Sequence, residues 1–236
     1  MATNGTTNDQ PDNRKRFFFD IDNCLYPKSY KIHDIMAELI DDYFQSHLTL
    51  SREEATELHQ RYYKDYGLAI EGLVRHHKVD PLEYNAKVDD ALPLEDIIKP
   101  DPKLRKLIED IDREKVKPWL FTNAYITHGK RVVKLLGIDH LFEGITYCDY
   151  GAEKLLCKPD PDMFAKAMRE SGATDRSECY YVDDSGLNAI GGKAYGWHTA
   201  HLVEPCVKSP PEPLGNYQIA DLEELRTIFP ECFKST

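Results

Sequence analysis

The sequence predicts an α/β fold: a doubly wound, Rossmann-like parallel sheet with an all-helical block inserted after its first strand. Three observations point to it. Short apolar runs recur along the chain and are continuous rather than alternating, as in strands buried on both faces. Amphipathic helical stretches separate these runs, which is the rhythm of a parallel sheet. One long stretch, from about residue 28 to 94, has helical spacing and no convincing strand.

Taken in order, Phe17-Phe18-Phe19 reads as the first strand. Pro27 then opens the helical block. Ile32, Ile35, Met36, Leu39, Ile40 and Phe44 recur at helical spacing. Further helical stretches run from Ser51 to Asp65 and from Leu68 to His77, and residues 92–100 lead back to the sheet. Asp101-Pro102 and Asp160-Pro161 each put an N-cap acceptor before a proline at the first helical position. Trp119-Leu120-Phe121, Ile145-Thr146-Tyr147, Tyr180-Tyr181-Val182 and the run from Thr199 to Val203 read as further strands. Leu135-Leu136-Gly137 ends one helix. Ser185 can cap another that runs through Ala194, with Gly196 as its stop. Pro210-Pro211-Glu212-Pro213 reads as a surface loop. The expected division is a disordered tail (1–15), a Rossmann-like core (16–27 and 95–236) and a helical cap (28–94).

Composition narrows the class. A chain of 236 residues accommodates one such core and a small accessory domain. With 41% hydrophobic and 30% charged residues it reads as a globular protein. No apolar stretch approaches the roughly 20 residues that span a bilayer. The polar first 16 residues resemble neither a signal peptide nor an anchor. A net charge of −11 argues against binding nucleic acid or anionic membranes, and obliges any anionic substrate to find local positive charge. Six cysteines lie scattered without a C-x-x-C pair, which fits reduced thiols and a cytoplasmic protein, with the nucleus also open.

Four motifs fall where predicted strands end, the place where open α/β sheets bind ligands. Asp20 and Asp22 follow the first strand. Two desolvated acids so close call for a cation or a shared proton, and Mg²⁺ with oxygen ligands is the common partner of phosphates. Thr122 and Asn123 can donate a hydroxyl and an amide to phosphoryl oxygens. Lys158, flanked by Cys157 and Pro159, can neutralise a bound phosphoryl group. Asp183 and Asp184 end another hydrophobic strand, where acids need a ligand. Each motif alone also reads as something plainer: turn aspartates, a Thr N-cap, a solvated lysine, an acidic helix start. Together they supply the inventory of phosphoryl transfer.

In this order Asp20-x-Asp22, Thr122-Asn123, Lys158 and Asp183-Asp184 resemble the four motifs of the haloacid dehalogenase-like phosphatase superfamily. The resemblance runs from Arg16 to about Val203. It is nearer still to the fungal pyrimidine 5′-nucleotidases. The residues that carry it are Phe-Phe-Asp-Ile-Asp-Asn-Cys-Leu-Tyr (18–26), Tyr-Tyr-Lys-Asp-Tyr-Gly-Leu-Ala-Ile (62–70), Leu-Phe-Thr-Asn-Ala-Tyr (120–125), Thr-Tyr-Cys-Asp-Tyr (146–150) and Asp-Asp-Ser-Gly (183–186). That resemblance implies Asp20 as nucleophile, Asp22 as general acid and base, and Thr122 and Lys158 on the phosphoryl oxygens with Asn123 in support. It implies Mg²⁺ held by Asp20, by the backbone carbonyl of Asp22 and by Asp184, with Asp183 behind or exchanging roles with it. Cys24 stands where many members carry Thr and reads as packing. Asp183 stands where many carry Gly, which leaves the metal assignment open between 183 and 184.

The implied substrates are UMP and CMP, with nicotinamide-type mononucleotides also in view. Tyr63, Tyr66 and Gly67 of the tyrosine-rich cap segment, and Tyr26, are candidates to contact the nucleoside. Aromatic faces stack on bases and hydroxyls read their edges, although packing within the cap explains the tyrosines equally well. His76-His77 can bind a phosphate or base, but adjacent histidines on a helix are usually surface residues. A second reading keeps the chemistry on a lysophosphatidate or sugar phosphate. A remote third is a receiver-type signalling module, which has no helical insertion. The expected partner is a small nucleotide, in a monomer or dimer.

Overall fold

The computed structural model describes residues 12–235, so most of the expected tail lies outside the described residues. Six parallel strands form one sheet: β1 (Lys15–Phe19), β2 (Val116–Phe121), β3 (Ile145–Thr146), β4 (Cys179–Asp183), β5 (His198–Leu202) and β6 (Tyr217–Ile219). Their order is β3-β2-β1-β4-β5-β6. The order reverses around β1, which pairs with β2 on one side and β4 on the other. This reversal opens a crevice at the strands' carboxyl ends.

Successive side chains of a strand point to opposite faces, and both faces here are covered. Phe17 and Phe19 belong to one apolar cluster with Leu120, Tyr180 and Val182. Phe18 belongs to the other, with Trp119, Phe121, Tyr181 and Trp197. The continuous apolar runs have this origin. Phe18 stacks on Trp197 with ring centroids 4.3 Å apart. Burying a side chain of this size contributes about 1.5–3 kcal/mol.

Ten α-helices complete the described chain. Between β1 and β2 lie α1 (Ile32–Leu48), α2 (Arg52–Tyr66), α3 (Ala69–His76), α4 (Pro81–Lys87), α5 (Leu94–Ile97) and α6 (Pro102–Glu109). After β2 come α7 (Ile126–Leu135), α8 (Pro161–Ser171), α9 (Gly186–Tyr195) and α10 (Leu225–Ile228). Among the described residues no strand interrupts the chain between β1 and β2, in line with the expected helical block. Its apolar face, with Ile40, Phe44, Tyr62, Ile70 and Leu73, packs on Cys148, Tyr150, Leu155 and Cys157. Ser51 closes a capping box with Glu54 at the start of α2.

Three details differ from the sequence reading. The helix α4 begins with Asp80 accepting from the Leu82 amide and Pro81 at its start. It carries the same Asp-Pro signal as α6 and α8 but is short. The edge strand β6 has an exposed Tyr217 and Gln218 and too little apolar character to read as a strand. Lys15, expected in the tail, opens β1, and Arg14 pairs with Glu143. All six cysteines are unpaired.

Candidate active site

The chain turns sharply as it leaves β1. The amide of Asp20 still pairs with the Val182 carbonyl at 3.0 Å, and the Leu25 amide then donates back to the Ile21 carbonyl at 2.9 Å. Asn23 takes a left-handed conformation, φ 58°, in this turn, a region that asparagine tolerates better than most residues. The turn sets Asp20 and Asp22 at the crevice, beside the acids that end β4.

Lys158 joins the two strand ends. Its ammonium is fully buried and donates to Asp20 Oδ1, Asp183 Oδ2 and the Phe121 carbonyl, each at 2.7 Å. Burial opposes its charge, but Asp183 and Asp20 outweigh that and raise its pKa. Asn123 fastens the lysine's backbone. Its amide nitrogen donates to the Lys158 carbonyl at 2.9 Å, and its oxygen accepts from the Lys158 amide at 2.7 Å. Thr122 is buried and its hydroxyl accepts from the Ala124 amide. Asn123 therefore acts on the lysine loop first.

The two acids of β4 have different surroundings. Asp183 accepts from Lys158, from the Tyr181 hydroxyl, from the Ser185 amide at 2.8 Å and from Asn188. Both of its oxygens are engaged. Among the described residues Asp184 has one side-chain partner, Lys28 Nζ at 2.8 Å. Burial and the neighbouring Asp183 push Asp184 up to about 6, against the pull of Lys28. Burial raises Asp20 well above the usual carboxylate range, Lys158 notwithstanding, with Asp183 and Asp184 adding repulsion.

Ligand oxygens of Asp20, Asp183 and Asp184 all lie within 4.8 Å of one another. An all-oxygen set strained by its own charge fits a hard divalent cation. Asp20 and Asp184 have the lone pairs left for it.

Asp22 sits to the side of that cluster. Its Oδ1 accepts from the Tyr26 hydroxyl at 2.8 Å and pairs with His128 Nε2 at 2.7 Å. Burial favours the neutral acid, but the His128 charge and these hydrogen bonds hold Asp22 below the usual carboxylate range. Burial likewise opposes the imidazolium, yet Asp22 lifts His128 to about 9. Tyr26 is only 3% exposed. Tyr26, a candidate nucleoside contact, thus has its hydroxyl on Asp22.

Of the other expected contacts, Tyr63 is 42% exposed, and its phenol lies close enough to Asp184 and Ser185 to feel both. Tyr66 turns its hydroxyl to His76 at 2.6 Å and its ring under Arg75. Tyr62 does the same with His77 at 2.9 Å, so neither histidine is left bare. Gly67 ends α2 with φ 80°, and a Cβ there would stand 2.6 Å from the Lys158 carbonyl. Only glycine lets the helical block approach the lysine loop this closely. Cys24 is buried with its sulfur towards the Val182 carbonyl, consistent with packing.

Sequence reading overlooked Lys28 and His128. Their signals were present: Lys28 follows the Asp20 loop by a few residues, and His128 lies in the first turn of the helix after Thr122. No periodicity or motif distinguished either from an ordinary surface residue.

Two acid pairs and a threonine at the carboxyl ends of adjacent parallel strands, with a lysine from the loop before α8, form one polar cluster on an α/β sheet. Comparison with known proteins gives the family. The family description "haloacid dehalogenase-like hydrolase" matches residues 15–196. The chain belongs to that family. "Phosphate metabolism protein 8" of Saccharomyces cerevisiae is 42% identical over 200 residues, which is 81% of this chain and 62% of that protein. The chain thus spans less than two thirds of that relative's length. Solved structures share the fold. The HAD hydrolase YfnB of Bacillus subtilis, bound to magnesium, has a TM-score of 0.63 at 16% identity, over 92% of this chain and 98% of that one. A HAD phosphatase from Thermococcus onnurineus has 0.59 at 18%, over 91% and 97%. No described helix is long and apolar enough to cross a membrane.

Proposed function

We propose that this chain is a Mg²⁺-dependent phosphatase that hydrolyses pyrimidine nucleoside 5′-monophosphates, UMP and CMP, through an aspartyl-phosphate. The observation that carries the reading is the buried Lys158 ammonium tying Asp20 to Asp183 between two strand ends. A divalent cation beside Asp20 would favour its ionised carboxylate, the form that can act as nucleophile. In this reading residues 28–94 are a cap over residues 16–27 and 95–236.

Asp20 attacks phosphorus in line. A bond forms between its carboxylate oxygen and phosphorus as the bond to the ribose oxygen breaks. Asp22 gives that oxygen a proton. Asp22 is ionised in the free protein; an incoming phosphate dianion raises its proton affinity by like-charge repulsion, so it takes up a proton from solvent as substrate binds. Asp22 then takes a proton from the water that attacks the acyl phosphate, which frees Asp20 and inorganic phosphate. Thr122 holds a phosphoryl oxygen, Lys158 exchanges one of its three present hydrogen bonds for a bond to another, and Asn123 holds Lys158. Asp20, Asp184 and the carbonyl of Asp22 would hold Mg²⁺, with Asp183 positioning Lys158. When bound, the ion screens the negative charge that gathers on the phosphoryl oxygens.

The pyrimidine reading rests on the resemblance to the fungal nucleotidases and on Tyr63, whose ring is available to a base. The relative named for phosphate metabolism is compatible with it. A panel of UMP, CMP, AMP, GMP, nicotinamide mononucleotide, a lysophosphatidate and a sugar phosphate, with Mg²⁺ and with chelator, tests it. UMP and CMP should be hydrolysed fastest, chelator should stop turnover, and Asp20→Asn should abolish it. Equal rates on all nucleotides would remove the pyrimidine claim. Full activity of Asp20→Asn would remove the phosphatase mechanism.

A further inference from the structure

We propose that His128 is the positioning residue for Asp22, clamping one carboxylate oxygen so that the other is the oxygen that moves the proton. This deepens the phosphatase reading and rests on it.

The geometry is one-sided. His128 Nε2, at 2.7 Å, and the Tyr26 hydroxyl, at 2.8 Å, both meet Oδ1 of Asp22. Among the described residues no hydrogen bond reaches Oδ2. The Asp22 side chain keeps 23% exposure, whereas that of His128 has none. His128 therefore cannot touch substrate, and any influence it has on the reaction passes through Asp22. With Oδ1 occupied twice, the proton given to the leaving oxygen, and later taken from water, resides on Oδ2.

Helix α7 is set to deliver the ring. It starts immediately beyond the Thr122-Asn123 turn, so its first turn faces the crevice. Gly129 lets it approach closely: a Cβ there would lie 3.2 Å from Ile21 Cδ1 and 3.6 Å from Thr122 Cγ2, beside the Asp20–Asp22 turn. Packing alone does not explain a histidine here. Its Nδ1 is buried without a partner among the described residues. Burying an unpaired polar nitrogen is unfavourable, and a leucine would fill a similar space without that penalty. What leucine cannot do is hold a carboxylate. A general acid must stay within hydrogen-bond reach of the oxygen it serves, and a displacement of about 1 Å can cost about 100-fold in rate.

The test compares two leaving groups in the full-length chain with Mg²⁺. UMP, or whichever alkyl phosphate the panel identifies, expels a basic oxygen that needs a proton. p-Nitrophenyl phosphate expels one that does not. Replacing His128 by Asn shortens the side chain below reach of Asp22. Replacing it by Gln keeps an amide donor near the Nε2 position. His128→Asn should lower kcat/KM about 100-fold on the alkyl phosphate and less than about 3-fold on p-nitrophenyl phosphate. The KM for the alkyl phosphate should stay within about twofold, because the clamp acts in the transition state. His128→Gln should recover most of the loss. Equal losses on both substrates, or no rescue by Gln, would overturn the proposal. So would an unaffected His128→Asn. If both variants fold poorly, Tyr26→Phe, which removes the other donor to Oδ1, should show the same substrate-dependent loss at smaller size, and an equal loss on both substrates would again overturn it. Asp22→Asn separates the two levels: if that variant hydrolyses the alkyl phosphate normally, the role given to Asp22 fails, whatever His128 does.

Discussion

The two walls of the crevice are built differently. On the sheet side nearly every donor and acceptor is engaged. Lys158 spends its three protons on Asp20, Asp183 and a carbonyl, Asn123 closes two bonds to the lysine's backbone, and Asp183 accepts from four groups. On the helical side the groups facing the acids are looser. Tyr63 is substantially exposed, and Lys28 hangs on a single ion pair with Asp184. The contrast separates two demands. Phosphoryl transfer needs fixed charges, and a buried network fixes them. Substrate choice needs a surface that can vary without disturbing that network.

The comparison can be broken or sharpened by experiment. The largest effect is expected on the sheet side. Lys158→Met leaves two buried carboxylates without their cation, and such a loss costs about 3–5 kcal/mol. Denaturant unfolding should register that loss, and phosphate release should fall about 1000-fold or more. Near-normal stability would mean that the wall is less tightly coupled than its bonds imply. On the helical side, Tyr63→Ala should raise the KM for UMP about tenfold, the value of one base–aromatic contact. It should leave p-nitrophenyl phosphate turnover and unfolding stability nearly unchanged. A variant that loses both substrates alike would place Tyr63 with the chemistry.

The smallest effect concerns Asp184, which follows the last residue of β4 but faces the loose wall. Its carboxyl titrates at about 6 in the free protein. A metal needs the ionised form, so affinity is full above that value and weakens as pH falls through it. Calorimetric titration should find Mg²⁺ bound at least about fourfold more weakly at about pH 5.5 than at about pH 7.5, with Asp20, also raised by burial, adding to the loss. A pH-independent affinity would show that Asp184 is not a ligand.

How much was legible depended on whether a residue's role was local. The strands β1, β2, β4 and β5 were visible because burial on both faces leaves a continuous apolar run. The short α4 and the exposed β6 were not, since neither carries enough apolar residues to set a pattern. The candidate site residues at the ends of β1, β2 and β4 are readable because strand ends are marked in sequence. That Tyr26, just after the Asp20 loop, is buried with its hydroxyl on Asp22 is decided by the fold and not by the segment. The pairing of Tyr66 with His76 joins α2 to α3 and is not readable from either segment alone.

By itself the sequence determined which chemistry is available and at which ends of which strands, because strand periodicity and residue type are properties of short segments. Only the tertiary structure decided which groups meet. Lys158 reaches Asp20 across 138 positions of chain, and His128 reaches Asp22 across 106. Such encounters depend on the order of strands in the sheet and on how closely a helix can approach them. That closeness is set by packing, as Gly129 and Gly67 show, and packing is a property of the assembled molecule rather than of any segment.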